Sequence, residues 1–118
     1  MTSDSTDILI ALGTRPEIIK LAPVIRALER EPSLSYRIVH TGQHYDDELS
    51  AVFFRNLDLP EPDAQLDVGS TTQGRQTADA LVGIEAEIAA QDPSAVVALG
   101  DTNAVLSAAL ATSKTNAD

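Results

Sequence analysis

Cysteine is absent from this 118-residue chain, which excludes a thiol nucleophile, a disulfide framework and a cysteine-bound metal. The same absence leaves the redox compartment open. Aromatic residues number only two Tyr and two Phe, so the core has to be built from Ala, Val, Ile and Leu. No apolar run approaches bilayer length, and Met1 to Asp7 is polar and acidic, unlike a signal peptide. Residues 1–6 are therefore expected to be a disordered lead on a cytoplasmic protein. Cations are scarce: 8 Lys and Arg stand against 18 Asp and Glu, a net charge of −10. Such a surface repels nucleic acid and anionic membrane, and neither is an expected partner.

What is present is one domain's length of chain, 43% apolar, with acidic residues spread along it rather than bunched in a tail. Three apolar runs read as buried strands: Ile8 to Leu12, Tyr36 to Thr41 and Ala95 to Leu99. Helical patterns separate them. Ile18, Leu21, Ile25 and Leu28 make one apolar stripe, with Pro23 inside it to kink the helix or disturb its first turns. Asp46 to Leu57 reads as a second helix, capped by Asp46 or Asp47, with Leu49, Val52, Phe53 and Leu57 inward. A rigid proline-marked loop, Asp58 to Asp63, follows. Thr71 to Gln91 fits a long helix with Ala78, Leu81, Val82, Ile84, Ile88 and Ala89 as its apolar positions, ended by Asp92-Pro93. Gly83 weakens that helix by about 1 kcal/mol relative to Ala. Asn103 to Ser113 is a last, Ala-rich helix.

Strands alternating with helices imply an α/β fold, a Rossmann-like parallel sheet with right-handed crossovers and helices on both faces. Ligands of such sheets bind beyond the carboxyl ends of the strands. This chain places polar residues there three times, in Gly13-Thr14-Arg15, Thr41-Gly42-Gln43-His44 and Gly100-Asp101-Thr102-Asn103. At the first, Pro16 suits the first helical position and Glu17 the first turn, so free N–H groups and Arg15 face one small volume. Lys20 adds a second cation. A phosphate or pyrophosphate suits this mouth, although neither nucleotide fingerprint G-x-x-x-x-G-K-[ST] nor G-x-G-x-x-G is present; the alternative is that both cations merely solvate the surface. His44 can hydrogen-bond a ligand, transfer a proton or serve structure. Asp101 is either the N-cap of the last helix or a carboxylate that orients a sugar hydroxyl or does acid/base work. Arg75 and Gln76 are by default surface residues.

Taken together, Gly13 to Pro23 (GTRPEIIKLAP), His40 to Asp46 (HTGQHYD), Gln76-Thr77 and Gly100 to Asn103 (GDTN) resemble, in order and spacing, the non-hydrolysing UDP-N-acetylglucosamine 2-epimerases. The resemblance runs from Asp7 onward. It implies reversible conversion of UDP-GlcNAc to UDP-ManNAc by anti elimination of UDP to a 2-acetamidoglucal and its re-addition, with no metal and no cofactor. It implies two Rossmann-like domains of glycosyltransferase-B type with substrate in the cleft between them, usually in a homodimer. By the same resemblance Arg15, Lys20 and His44 bind substrate and Asp101 is catalytic. Gln43, Arg75 and Gln76 stand where bacterial members contact a second, activating UDP-GlcNAc.

The family continues past the position of Asp101 with a "VEAGLR"-like loop, a further glutamate, a histidine and a uridine-holding second domain, none of which is in these 118 residues. Residues 7–118 are accordingly expected to be an incomplete N-terminal domain, inactive alone, from a truncated or split gene or with a complementing C-terminal chain. The alternative is a non-catalytic sugar-nucleotide-binding or regulatory module.

Overall fold

Ile8–Leu12 forms β1, and Leu9, Ile10, Ala11 and Leu12 are all buried. A strand apolar on both faces needs cover on both. It has that cover in the computed structural model, which describes residues 6–13, 15–41, 52, 54–66, 72–98 and 108–112. Beside β1 lie β2 (Tyr36–His40), β3 (Ala64–Gln65) and β4 (Ala95–Val97), all parallel and ordered β3-β2-β1-β4. The register sets Leu12 beside His40 and Ile10 beside Val97.

Alternation along β1 divides the core in two. Ile10 and Leu12 face helix α1 (Arg15–Glu29), joining Ile18, Leu21, Ile25, Ile38 and Phe54. Leu9 and Ala11 face helix α2 (Gln73–Gln91) and the helical residues 108–112, joining Val39, Ile84, Ile88, Ala108 and Ala111. The expected Rossmann-like sheet with helices on both faces is thus present.

In α1 the stripe Ile18, Leu21, Ile25 and Leu28 is buried as expected, with Ala22 beside it. Pro16 is the second helical residue rather than the first. Pro23 does not break the helix. It removes one bond, to the carbonyl of Ile19, and both residues are exposed, so water can take the donor's place.

The strands depart from expectation in three ways. Among the described residues the sheet has four strands, not three: β3 is only two residues and has no apolar run to announce it. It forms because Asp63 grips β2 just before it, accepting the Ile38 N–H on Oδ2 (2.7 Å) and donating its own N–H to the Ile38 carbonyl (2.8 Å). Strand β4 ends at Val97 among the described residues, and Leu99 lies outside them. β2 ends at His40, one residue short, yet Thr41 continues the ladder by donating its N–H to the Leu12 carbonyl at 2.8 Å.

Of the second expected helix, Val52 and residues 54–56 are helical, and Asp46, Asp47, Leu49 and Phe53 lie outside the described residues. Val52 does not face inward. It is 43% exposed, Leu57 is half-buried, and Phe54 is the fully buried side chain. In α2, Ala80, Ile84 and Ile88 make the buried stripe, whereas Ala78, Val82 and Ala89 are exposed. Thr72 caps its start by accepting the Arg75 N–H, and Asp92 ends it in the left-handed region (φ 47°). Residues 1–5 lie outside the described residues, and Thr6 is tied to Gln91 by its N–H (3.0 Å) and its hydroxyl (2.8 Å).

Gly83 has a packing reason. A Cβ there would come within 2.7 Å of Leu66 Cδ1 and 2.8 Å of Cδ2. Gly83→Ala should therefore forfeit the helix-propensity gain of about 1 kcal/mol and destabilise the chain by about 1 kcal/mol or more through overpacking. Urea unfolding reads this out, and a stabilised Gly83→Ala would show that Leu66 moves aside freely.

Candidate functional site

In parallel sheets with crossover helices, each helix begins at the carboxyl rim and returns to the amino edge. The bonds from Thr6 to Gln91 put the end of α2 at the amino edge, beside the residue that leads into β1. The starts of α1 and α2 therefore share the opposite rim, where β1 and β2 end level at Leu12 and His40.

The turn from β1 to α1 is two residues long, Gly13 and Thr14, of which Thr14 lies outside the described residues. It is held by Glu17, which is 2% exposed and accepts the Gly13 N–H on Oε1 at 2.8 Å. Behind it Thr41, also buried, donates both its N–H (2.8 Å) and its hydroxyl (3.3 Å) to the Leu12 carbonyl. Arg15 is the first residue of α1, and its side chain lies outside what is described. Lys20 is exposed. Helical geometry sets it about 7.5 Å along the axis from Arg15 and about 140° around it, with its Cβ tilted back toward the helix start. Both residues lie in the first two turns of α1, on different sides of it.

Arg75 and Gln76 lie in the first turn of α2. Leu66, the residue after β3, packs on Gly83, which marks the level of the rim along α2. Arg75 and Gln76, seven or eight residues earlier, stand about 11 Å beyond it. α1 and α2 pack on opposite faces of the sheet, so Arg75 and Gln76 start from the other face than Arg15 does. The Arg75 side chain, 71% exposed, is paired through Nε with Asp79 Oδ1 at 3.2 Å. Gln76 is half-buried and donates its N–H to the Thr72 carbonyl. Gln43, His44 and Asp101 lie outside the described residues.

Glu17 is the residue whose role sequence reasoning undervalued, as a favourable charge in a first turn. The signal was available: Thr14-x-x-Glu17 is a capping box, in which the fourth residue reaches back to an amide at the helix start. Here the carboxylate reaches one residue further, to Gly13.

Among the described residues, no helix is long and apolar enough to cross a membrane. The family model for UDP-N-acetylglucosamine 2-epimerase matches residues 26–118. The UDP-N-acetylglucosamine 2-epimerase of Methanocaldococcus jannaschii is 49% identical over 109 residues, which are 92% of this chain and 30% of that protein. A UDP-2,3-diacetamido-2,3-dideoxy-D-glucuronate 2-epimerase of Pseudomonas aeruginosa is 45% identical over 91% of this chain and 30% of its own length. The crystal structure of the M. jannaschii enzyme in complex with UDP-GlcNAc and UDP superposes with a TM-score of 0.85 at 48% identity, over 92% of this chain and 30% of that one. This chain therefore spans about 30% of the length of the relatives it matches. Since the family model spans most of the chain and the sheet superposes on a solved member, the chain belongs to the UDP-N-acetylglucosamine 2-epimerase family.

Proposed function

We propose that this chain acts within an enzyme that interconverts UDP-GlcNAc and UDP-ManNAc, contributing the residues on the diphosphate side of the substrate. The observation that carries this reading is the identity of 49% to a UDP-N-acetylglucosamine 2-epimerase, running through the rim segments. In this reading Arg15 and Lys20, at the start of α1, neutralise the diphosphate. His44 contacts substrate, and Asp101 does acid/base work as the C2 proton leaves, the C1–O bond breaks and UDP departs. UDP then re-adds as a proton returns to the opposite face of C2, so nothing is consumed and neither metal nor cofactor is called for. Gln43, Arg75 and Gln76 contact a second UDP-GlcNAc, and the packing of α1 and α2 on opposite faces of the sheet supports a location apart from the first. The complete enzyme works as a homodimer in the cytoplasm, with the remaining family motifs on further chain or on a complementing one.

Incubation with UDP-GlcNAc tests this. The complete protein should form UDP-ManNAc, whereas the 118 residues alone should form neither UDP-ManNAc nor free UDP. Turnover by the short chain would show that the later motifs are dispensable. Arg15→Ala in the complete protein should weaken UDP-sugar binding by about 1.5 to 3 kcal/mol, the cost of a lost charged hydrogen bond. Arg15→Lys should recover only part, because an ammonium cannot make the two-pronged guanidinium contact. Calorimetric titration with UDP reads both variants, and an unchanged Arg15→Ala would remove Arg15 from the site.

The P. aeruginosa relative, at 45% identity, favours a second reading in which the sugar is a diacetamido-glucuronate carried on UDP. Offering both UDP-sugars in one competition assay decides between them.

A further inference from the structure

The Leu12–Gly13 peptide unit is held at both ends. Its carbonyl accepts the Thr41 N–H at 2.8 Å and the Thr41 hydroxyl at 3.3 Å, and its N–H donates to Glu17 Oε1 at 2.8 Å. Glu17 and Thr41 are 2% and 8% exposed, so water competes little for either contact. This peptide is the last rigid unit of the central strand, and only Gly13 and Thr14 separate it from Arg15. Its orientation sets the direction in which the chain leaves the sheet and enters α1. Glycine at the next Cα offers no side-chain resistance to a swing of that turn, so the restraint has to come from outside it.

We propose that Glu17 is a positioning residue of the anion mouth: by holding the Leu12–Gly13 peptide it fixes where the start of α1 presents Arg15 to a diphosphate, without touching the ligand. The inference rests on the reading of Arg15 and Lys20 given above. It also has a cost that makes it distinctive. A buried carboxylate beside a diphosphate site opposes the ligand's charge, and it takes up one of the amides that an anion at a helix start would otherwise use. Its hydrogen bond, not its charge, is therefore what serves binding. Small displacements at such a point matter, because charged contacts depend on geometry held to a fraction of an ångström.

Three variants of the complete protein separate these contributions. Glu17→Asp keeps the charge and loses one methylene of reach, Glu17→Gln keeps reach and an accepting oxygen and loses the charge, and Glu17→Ala loses all three. The expected result is a rise of about tenfold in the Kd for UDP and the KM for UDP-GlcNAc in Glu17→Asp and Glu17→Ala, the scale of one buried hydrogen bond, with kcat changed far less. Glu17→Gln should rescue binding, and the Gly13 amide should exchange with solvent faster in Asp and Ala variants than in Gln. If Glu17→Ala does not fold, the Asp and Gln pair still decides. Folded Asp and Ala variants with unchanged Kd and KM overturn the inference, as does a Glu17→Gln variant as impaired as Glu17→Ala. A complete unsubstituted protein that binds no UDP overturns the functional reading and this inference with it.

Discussion

Phe54→Ala is expected to lower the unfolding free energy by about 3 to 5 kcal/mol, the range for removing a fully buried aromatic side chain. Phe54 has no exposed surface and closes the core between α1 and the sheet, among Ile10, Leu12, Ile18, Ile25 and Ile38. Its ring meets the buried His40 edge-on, with centroids 6.5 Å apart and planes at 65°. The backbone around it is pinned: its carbonyl accepts the Leu59 N–H at 2.9 Å, and Arg26 donates to the Leu57 carbonyl at 2.6 Å. These bonds resist collapse of the segment into the cavity. Against a typical domain stability of about 5 to 15 kcal/mol, the expected loss is a large share. Urea denaturation should show a lowered midpoint with an unchanged slope. Val52→Ala is the comparison, because Val52 is 43% exposed and its truncation should stay within about 0.5 kcal/mol. Equal losses in the two variants would mean that the helical segment packs by another face.

Asp101→Asn in the complete protein is expected to lower turnover by about 10² to 10⁴ fold, the usual contribution of a positioned acid or base. Folding should be kept, because Asn caps a helix as well as Asp does. Affinity for UDP should also be kept, since the diphosphate is assigned to Arg15 and Lys20. Turnover and UDP titration together thus separate a rate defect at Asp101 from a binding defect at Arg15. Unchanged turnover would leave Asp101 as a helix cap and remove the one acid/base assignment in this chain.

The elements that were legible beforehand are those whose signal is local. Ile8 to Leu12 is short and apolar at every position, as a strand buried on both faces requires. Ile18, Leu21, Ile25 and Leu28 repeat at the helical period, and all four are buried. The rim segments carried the family resemblance, which a matching family model and a close superposition on a solved member bear out. Other elements had no such signal. β3 consists of a half-buried Ala64 and an exposed Gln65, and it exists through hydrogen bonds from Asp63 and Leu66 to β2. In the segment after Asp46 the pattern put Val52 and Phe53 inward; Phe53 lies outside the described residues, Val52 is exposed, and Phe54 is buried among Ile10, Leu12, Ile18 and Ile25. Val82 fits an apolar stripe by type and yet is 63% exposed, because the face of α2 that meets the sheet is the one holding Ala80, Ile84 and Ile88.

By itself the sequence determined the α/β class, the central strand, the two long helices and the family, because each rests on residue type and spacing within one stretch of chain. The tertiary structure decided the fourth strand, the burial of Phe54, and the placing of α1 and α2 on opposite faces of the sheet. It also turned Glu17 from a favourable charge into a buried clamp on the Leu12–Gly13 peptide, opposite Thr41. These depend on groups far apart in the chain meeting at one place, such as Thr41 on Leu12 and Leu66 on Gly83, and such meetings leave no periodic trace in sequence.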